Sequence, residues 1–253
     1  MKVRVEFSRR DIDRVKQLKK DSKNDDFVKH RIRRNVDKEW LPLTPRRCWH
    51  AYILCLLTTQ QRSGPRSNVY KLLSSKPFPL ELAVVGKKRQ PRNYVAKTLR
   101  QSRGIRLIDT IADHASKNLV WFRGLKWKEL KSKLDALASI GGYKAERELA
   151  NWLSDKSRFG GLGPKQSRNF LQCLGLTRYE IPIDSRITKR LREDFNFPLA
   201  ISSATLSDQE HYAFVNDVIR RLCRQANVYP CVFDAVLFSK GDGSDWNGVK
   251  PLF

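Results

Sequence analysis

Apolar positions recur at three- and four-residue spacing through most of the chain, the signature of helices that bury one face. Trp49, Tyr52, Ile53, Leu56 and Leu57 predict a buried helix within 47–61, running into the polar turn Thr58, Thr59, Gln60, Gln61, Arg62, Ser63. Residues 67–73 predict a short helix burying Val69, Leu72 and Leu73. Pro91 should end whatever precedes it, with a helix resuming over 94–99. Ile108, Ile111, Ala112, Ala115 and Leu119 predict a helix within 105–122, and Leu130, Leu134 and Leu137 another over 127–140, closed by Gly141 and Gly142. Trp121, Phe122 and Trp127 are assigned to the core. Further helices are expected over 143–153, 166–174, 187–197, 211–223 and 228–238, with Asp234 the one charge inside the last. Only residues 1–7 alternate, Val3, Val5 and Phe7 against Lys2, Arg4 and Glu6, which predicts a short strand. Ser8 is placed to cap a helix over 9–20, with Asp11 near its first turn. Residues 21–39 are highly charged and read equally as a helix, a linker or a basic arm. The expected fold class is mainly all-α, with short loops.

One junction stands apart. Gly161 and Gly163 lie between two of the helical segments and make a helix-hairpin-helix of 143–175. Glycines there permit unusual backbone angles and leave amides uncovered. Amides at the start of the second helix suit a phosphate. Lys165 sits at that start, and Asp184 follows nineteen residues later.

Charge narrows the partner. Fifty basic against 26 acidic residues give a formal net charge of +24 over 253 residues. An excess of cations on this scale favours a polyanion, with nucleic acid first and a ribosome-associated role or an anionic membrane behind it. Alternating charges after Met1 do not resemble a signal peptide, and no run of 18 apolar residues is present, so a soluble protein is expected. The five cysteines are odd in number and widely spaced, which reads as reduced, mostly buried thiols. Four scattered histidines and no Cys-x-x-Cys argue against zinc or any other metal held by side chains.

The run Gly161, Leu162, Gly163, Pro164, Lys165, followed by Ile181, Pro182, Ile183, Asp184, resembles the helix-hairpin-helix DNA glycosylase superfamily. Lys165 together with Asp184 resembles its bifunctional members, above all the small archaeal and bacterial 8-oxoguanine DNA glycosylase/AP lyases. The likeness is carried by 135–195 and more weakly by 47–75; Phe159 and Gly160 stand where the family usually has Leu-Pro. The resemblance implies two helical lobes around a cleft. Residues 41–75 and 195–253 would form one lobe and 76–194 the other, with 1–40 a basic extension. It implies a bifunctional enzyme that excises a damaged base, 8-oxoguanine first, through a lysine Schiff base and β-elimination. Lys165 would be the nucleophile, and Asp184 would stay ionised to stabilise the cationic sugar and position the lysine. The plainer alternative has Lys165 touching phosphate and Asp184 capping the helix that follows.

Gly161 and Gly163 would grip the DNA backbone, helped by Lys156, Arg158, Arg168, Arg186 and Lys189. Gln60 or Gln61 would wedge into the duplex, with Arg62 on the backbone. Phe233, Phe238 and the tail with Phe253 are candidates for the base pocket. No iron-sulphur cluster is expected, because only Cys223 and Cys231 lie near the C-terminus; a sodium or potassium ion held by main-chain carbonyls at the hairpin is the one cofactor implied. The partner would be double-stranded DNA, met by a monomer in the cytoplasm and, in a prokaryote, at the nucleoid. The competing functions are a glycosylase of this superfamily for another modified or mismatched base, a non-catalytic helix-hairpin-helix DNA-binding protein, and an RNA-binding protein.

Overall fold

The computed structural model describes residues 5–39, 41–197, 201–202, 204–241, 246, 249 and 252. Among these residues the regular structure is helical. The α-helices are α1 (Arg9–Asp21), α2 (Asp26–Arg31), α3 (Pro45–Leu57), α4 (Asn68–Ser74), α5 (Leu82–Val85), α6 (Pro91–Gln101), α7 (Ile108–Asn118), α8 (Gly124–Ile140), α9 (Tyr143–Leu153), α10 (Pro164–Cys173), α11 (Ser185–Phe195), α12 (Gln209–Gln225) and α13 (Pro230–Gly241). Short side chains start many of them. Ser8 and Asp11 form a reciprocal capping box on α1, while Thr44, Ser67 and Asp208 accept from first-turn amides of α3, α4 and α12. Pro91 begins α6 as its first residue, a position where the missing N–H costs nothing.

The N-terminus departs from expectation. Residues 5–8 form no strand, and Val5 and Phe7 pack against apolar core instead; residues 1–4 lie outside the described residues. Nor is the basic segment a loose arm, because α1 and α2 bury Val15, Leu18, Phe27 and Val28. A wide turn of helix at Ile32–Val36 follows. From it Arg34 donates to the Cys173 carbonyl, and Asn35 Nδ2 donates to the Thr177 carbonyl at 2.8 Å. The first satisfies a carbonyl that the end of α10 leaves open, and the second holds the segment that follows it.

Buried apolar residues gather in two clusters. The first draws on residues from Cys48 to Leu176 and holds most of α3 to α10. The second joins α1 and α2 to α11, α12 and α13. These cores do not follow the lobe boundaries implied by the resemblance. Helix α3 buries Cys48, Trp49, Ala51, Tyr52, Ile53, Cys55, Leu56 and Leu57, so it is apolar on nearly every side. It therefore packs among α5, α7 and α10 in the first cluster rather than beside 195–253.

A buried ionic clamp joins the clusters. Glu180, fully buried, accepts from Arg168 Nε at 2.7 Å and from Arg147 Nη2 at 2.7 Å. Arg147 also reaches Asp217 Oδ1 of α12 at 2.6 Å. Glu146 accepts from the amides of Arg178, Tyr179 and Glu180 at 2.8–2.9 Å. We predict that Glu180→Ala, which leaves the buried Arg168 without its carboxylate, lowers unfolding free energy by about 3–5 kcal/mol in urea titration. A loss below 1 kcal/mol would show the clamp to be dispensable.

Candidate active site

The site begins at the start of α10. Gly163 caps the helix in extended backbone with no side-chain bond, Pro164 is the first helical residue and Lys165 the second. First-turn amides are thus left without a side-chain partner. The two hairpin glycines serve different ends. Gly161 has φ +81°, and a Cβ on it would lie 2.4 Å from Leu56 Cδ2, so packing requires glycine there. A Cβ on Gly163 would meet nothing within 4 Å, so the space over it is open. The loop is bolted down by its Gly160 carbonyl, which accepts from Tyr52 Oη and from Asn118 Nδ2, each at 2.8 Å.

Asp184 is the N-cap of α11. Its Oδ1 accepts from the amides of Arg186 at 2.9 Å and Ile187 at 3.1 Å. Its Oδ2 accepts from Arg186 Nε at 2.9 Å and also from Nη2. Burial pushes this carboxyl up, but the cations of Arg186 and Lys165 and the capping bonds outweigh it and hold it below its ordinary range. Burial depresses the Lys165 amine. Asp184 opposes that shift, Arg186 adds to it, and Cys55 and Asp234 oppose it more weakly; the net direction is down.

Both groups line one cavity. Its aromatic wall is Phe27, Phe238 and Trp246, and its polar wall is Gln172, Asp234 and Arg31. Asp234 is buried and accepts from Gln172 Nε2 at 2.6 Å. Burial lifts its carboxyl to about 6. Phe238 is covered on its faces: Phe27 stacks on it at 4.9 Å and 18°, and the Arg186 guanidinium lies 3.9 Å from the ring centre.

Lys165, Asp184, Arg186 and Phe238 all line this cavity; Arg186, expected at the DNA backbone, is paired with Asp184 here. Thr58 and Ser63 line the same cavity, which places the polar turn after α3 at its edge. Gln166 Nε2 ties that turn to α10 through Thr59 Oγ1 at 2.9 Å. The structure separates the two glutamines. Gln60 is exposed with φ +54°, whereas Gln61 Oε1 is occupied by the amide of Arg106 at 2.9 Å; Arg62 is exposed. Lys189 is exposed on α11 beside Glu193 at 3.8 Å, and Lys156 and Arg158 are exposed in the hairpin loop.

Two expectations fail. Arg168 is fully buried between Glu180 and the Tyr212 ring, so it braces the interior and cannot reach a phosphate. Phe233 is buried in the second core, edge-on to Phe195, because it lies off the face of α13 that carries Asp234 and Phe238. Phe253 lies outside the described residues. Sequence reasoning also missed Gln172, Asp234, Phe27, Arg31 and Trp246. Asp234 alone gave a signal, as the single charge in an apolar helix.

All five cysteines are free and buried. Among the described residues no group of three or more His, Cys, Asp or Glu could hold a metal, and no helix is long and apolar enough to cross a membrane.

The fold is that of helix-hairpin-helix 8-oxoguanine DNA glycosylases. The structure resembles the 8-oxoguanine glycosylase/lyase of Methanocaldococcus jannaschii in complex with a 15mer DNA containing 8-oxoguanine, with TM-score 0.67 and 15% identity over 92% of this chain and 99% of that one. A second structure of the 8-oxoguanine DNA glycosylase from that organism gives TM-score 0.63 at 16% identity, covering 92% of this chain and 94% of that one. The 8-oxoguanine DNA glycosylase of Thermotoga maritima gives the same score and identity, covering 92% and 97%. No protein-family model and no curated protein matches the chain.

Proposed function

We propose that the protein is a DNA glycosylase with AP lyase activity that removes a damaged base, 8-oxoguanine first, from double-stranded DNA. The observation that carries this reading is the meeting, in one cavity, of a lysine amine depressed by burial with a carboxylate kept ionised by two cations. A binding module needs the open amides of the hairpin but neither of these groups.

The base is turned out of the stack into the cavity. The neutral Lys165 amine attacks C1′ with its lone pair, the C1′–N9 bond breaks toward the base, and the proton given up by the attacking amine passes to the departing base. Asp184 lies where positive charge grows on the sugar and stabilises it electrostatically. Opening of the C1′–O4′ bond gives a Schiff base on Lys165. Loss of a C2′ proton then forms the C2′–C3′ double bond and expels the 3′ phosphate. Water finally releases the lysine. The open space above Gly163 and the exposed cations Lys156, Arg158 and Lys189 suit the DNA backbone, with Gln60 filling the gap left by the base. Arg186 must leave the face of Phe238 before a base can stack there.

Borohydride should trap a covalent adduct of the wild-type protein on abasic DNA, and Lys165→Ala should abolish it. Persistence of the adduct in that variant would assign the nucleophile elsewhere. Asp184→Asn should keep DNA affinity and slow single-turnover excision by about 100-fold; an unchanged rate would remove Asp184 from the chemistry. The trapping rate should rise with pH as Lys165 loses its proton, with its midpoint below the ordinary lysine value of 10.5. A midpoint at or above that value would contradict a depressed amine. Gln60→Ala should slow base extrusion more than Gln61→Ala, measured by 2-aminopurine fluorescence beside the lesion; the reverse order would move the wedge to Gln61.

A further inference from the structure

The reaction above uses none of the five free thiols, and two of them face each other. Cys55 lies in the last turn of α3 and Cys173 is the last residue of α10. The two side chains are hydrogen-bonded thiol to thiol. Polar groups hold the same two helices together beside them. The Cys55 carbonyl accepts from the hydroxyls of Thr58 and Thr59, each at 3.2 Å, and Thr59 Oγ1 in turn accepts from Gln166 Nε2 of α10 at 2.9 Å. The meeting of the sulphurs is therefore set by a packed interface between two helices.

The two sulphurs have different surroundings. Cys55 is 0% exposed, whereas Cys173 is 8% exposed and lines the cavity that holds Lys165. Three arginines act on Cys173. Arg31 lines the same cavity, Arg34 donates to the Cys173 carbonyl, and Arg47 lies on the first turn of α3. The bond from Cys55 favours an anionic Cys173 most; burial opposes it, and Arg31, Arg34 and Arg47 add to it, so the net direction is down. Burial and the same bond push the Cys55 thiol up. Burial also lifts Cys48 and Cys231 to about 12 and raises Cys223, which leaves those three inert. One thiol is thus activated and open to the cavity, and its neighbour is protonated and enclosed. That is the arrangement of an attacking and a resolving cysteine.

We propose that Cys173 is an oxidation site for a small hydroperoxide, and that Cys55 resolves it to a reversible disulfide between α3 and α10. The Cys173 sulphur attacks one peroxide oxygen, the O–O bond breaks, and the second oxygen leaves with the electron pair and a proton, as water when the oxidant is hydrogen peroxide. Cys173 then carries S–OH. The Cys55 sulphur attacks the Cys173 sulphur, and its proton goes with the departing hydroxide as a second water. One peroxide is reduced and two thiols are oxidised. Cys55 needs no access to solvent, because it reacts only with its neighbour; the sulphurs must close to about 2 Å. The bond would staple the helix that runs into the polar turn to the helix that carries Lys165. The proposal stands apart from the glycosylase reading, since the fold alone places these thiols.

The test treats the reduced, folded wild-type chain with a slight excess of hydrogen peroxide. Free thiols are counted after denaturation, and unreduced peptides are mapped by mass spectrometry. Two of the five free thiols should be lost, the map should hold a Cys55–Cys173 peptide, and dithiothreitol should restore both thiols. Cys55→Ser should stop at a sulfenic acid that dimedone labels at Cys173. Cys173→Ser should keep all its remaining thiols under the same treatment. Retention of all five thiols by the wild type overturns the proposal, as does a disulfide between Cys223 and Cys231 or between two chains. Equal thiol loss in Cys173→Ser, or dimedone on any other cysteine of Cys55→Ser, overturns it too. Should Cys55→Ser fail to fold, the wild-type peptide map decides alone.

Discussion

The structure depends on a carboxylate with no access to water. Glu180 lies between Arg168 on one helix of the hairpin and Arg147 on the other. Removing Glu180 and Arg168 from solvent is costly, and it is tolerated only because the bonds are short and multiple. The geometry it secures is that of the site. Lys165 lies three residues before Arg168 on α10, and Asp184 lies four residues after Glu180. The ion pair therefore fixes where Lys165 stands relative to Asp184. Glu146 holds the amides just before that point. Beyond it, Asn216 Oδ1 takes the amide of Ile181 and Tyr212 Oη the amide of Ile183. Asp184 thus stands at the end of a segment bonded at nearly every step, and the capping amides of α11 together with Arg186 hold its carboxylate.

Lysine chemistry and carboxylate chemistry ask for opposite surroundings. A neutral amine is favoured by burial and nearby cations, whereas an ionised carboxylate is favoured by cations and opposed by burial. One arginine serves both. Arg186 sits against Asp184, keeps it ionised in a buried place, and depresses the amine across the cavity. Asp234 pulls the other way on Lys165, and its own high position, near 6, reflects the same burial.

Much of the helical order was legible in the sequence, because apolar spacing in segments such as 127–140 matched the face that α8 buries. Lys165 and Asp184 were legible for another reason: the glycines, the helix start and the later cap are local patterns. Failures followed from distance along the chain. Nothing near Arg168 says that Glu180 will neutralise it inside the core, and its position one turn after Lys165 made it look like a phosphate contact. Phe27, Arg31 and Trp246 reach the cavity from the two ends of the chain. Only the packing of α2 on α13 brings Phe27 and Arg31 there. Over 5–7 the expected strand is absent, because Val5 and Phe7 pack against the second core and, among the described residues, there is no strand for them to pair with.

In the free chain the site is closed by its own side chains. Phe27 and Arg186 lie against Phe238, so no base can stack on that ring as it stands. Both oxygens of Asp184 are likewise engaged, one by capping amides and the other by Arg186. Of the groups that would have to move, Phe27 is packed in the second core, while Arg186 ends in a long side chain at the cavity rim. Displacing the guanidinium clears an aromatic face and frees a carboxylate oxygen in the same motion. An open aromatic face and an uncovered carboxylate oxygen thus depend on the position of one side chain, Arg186.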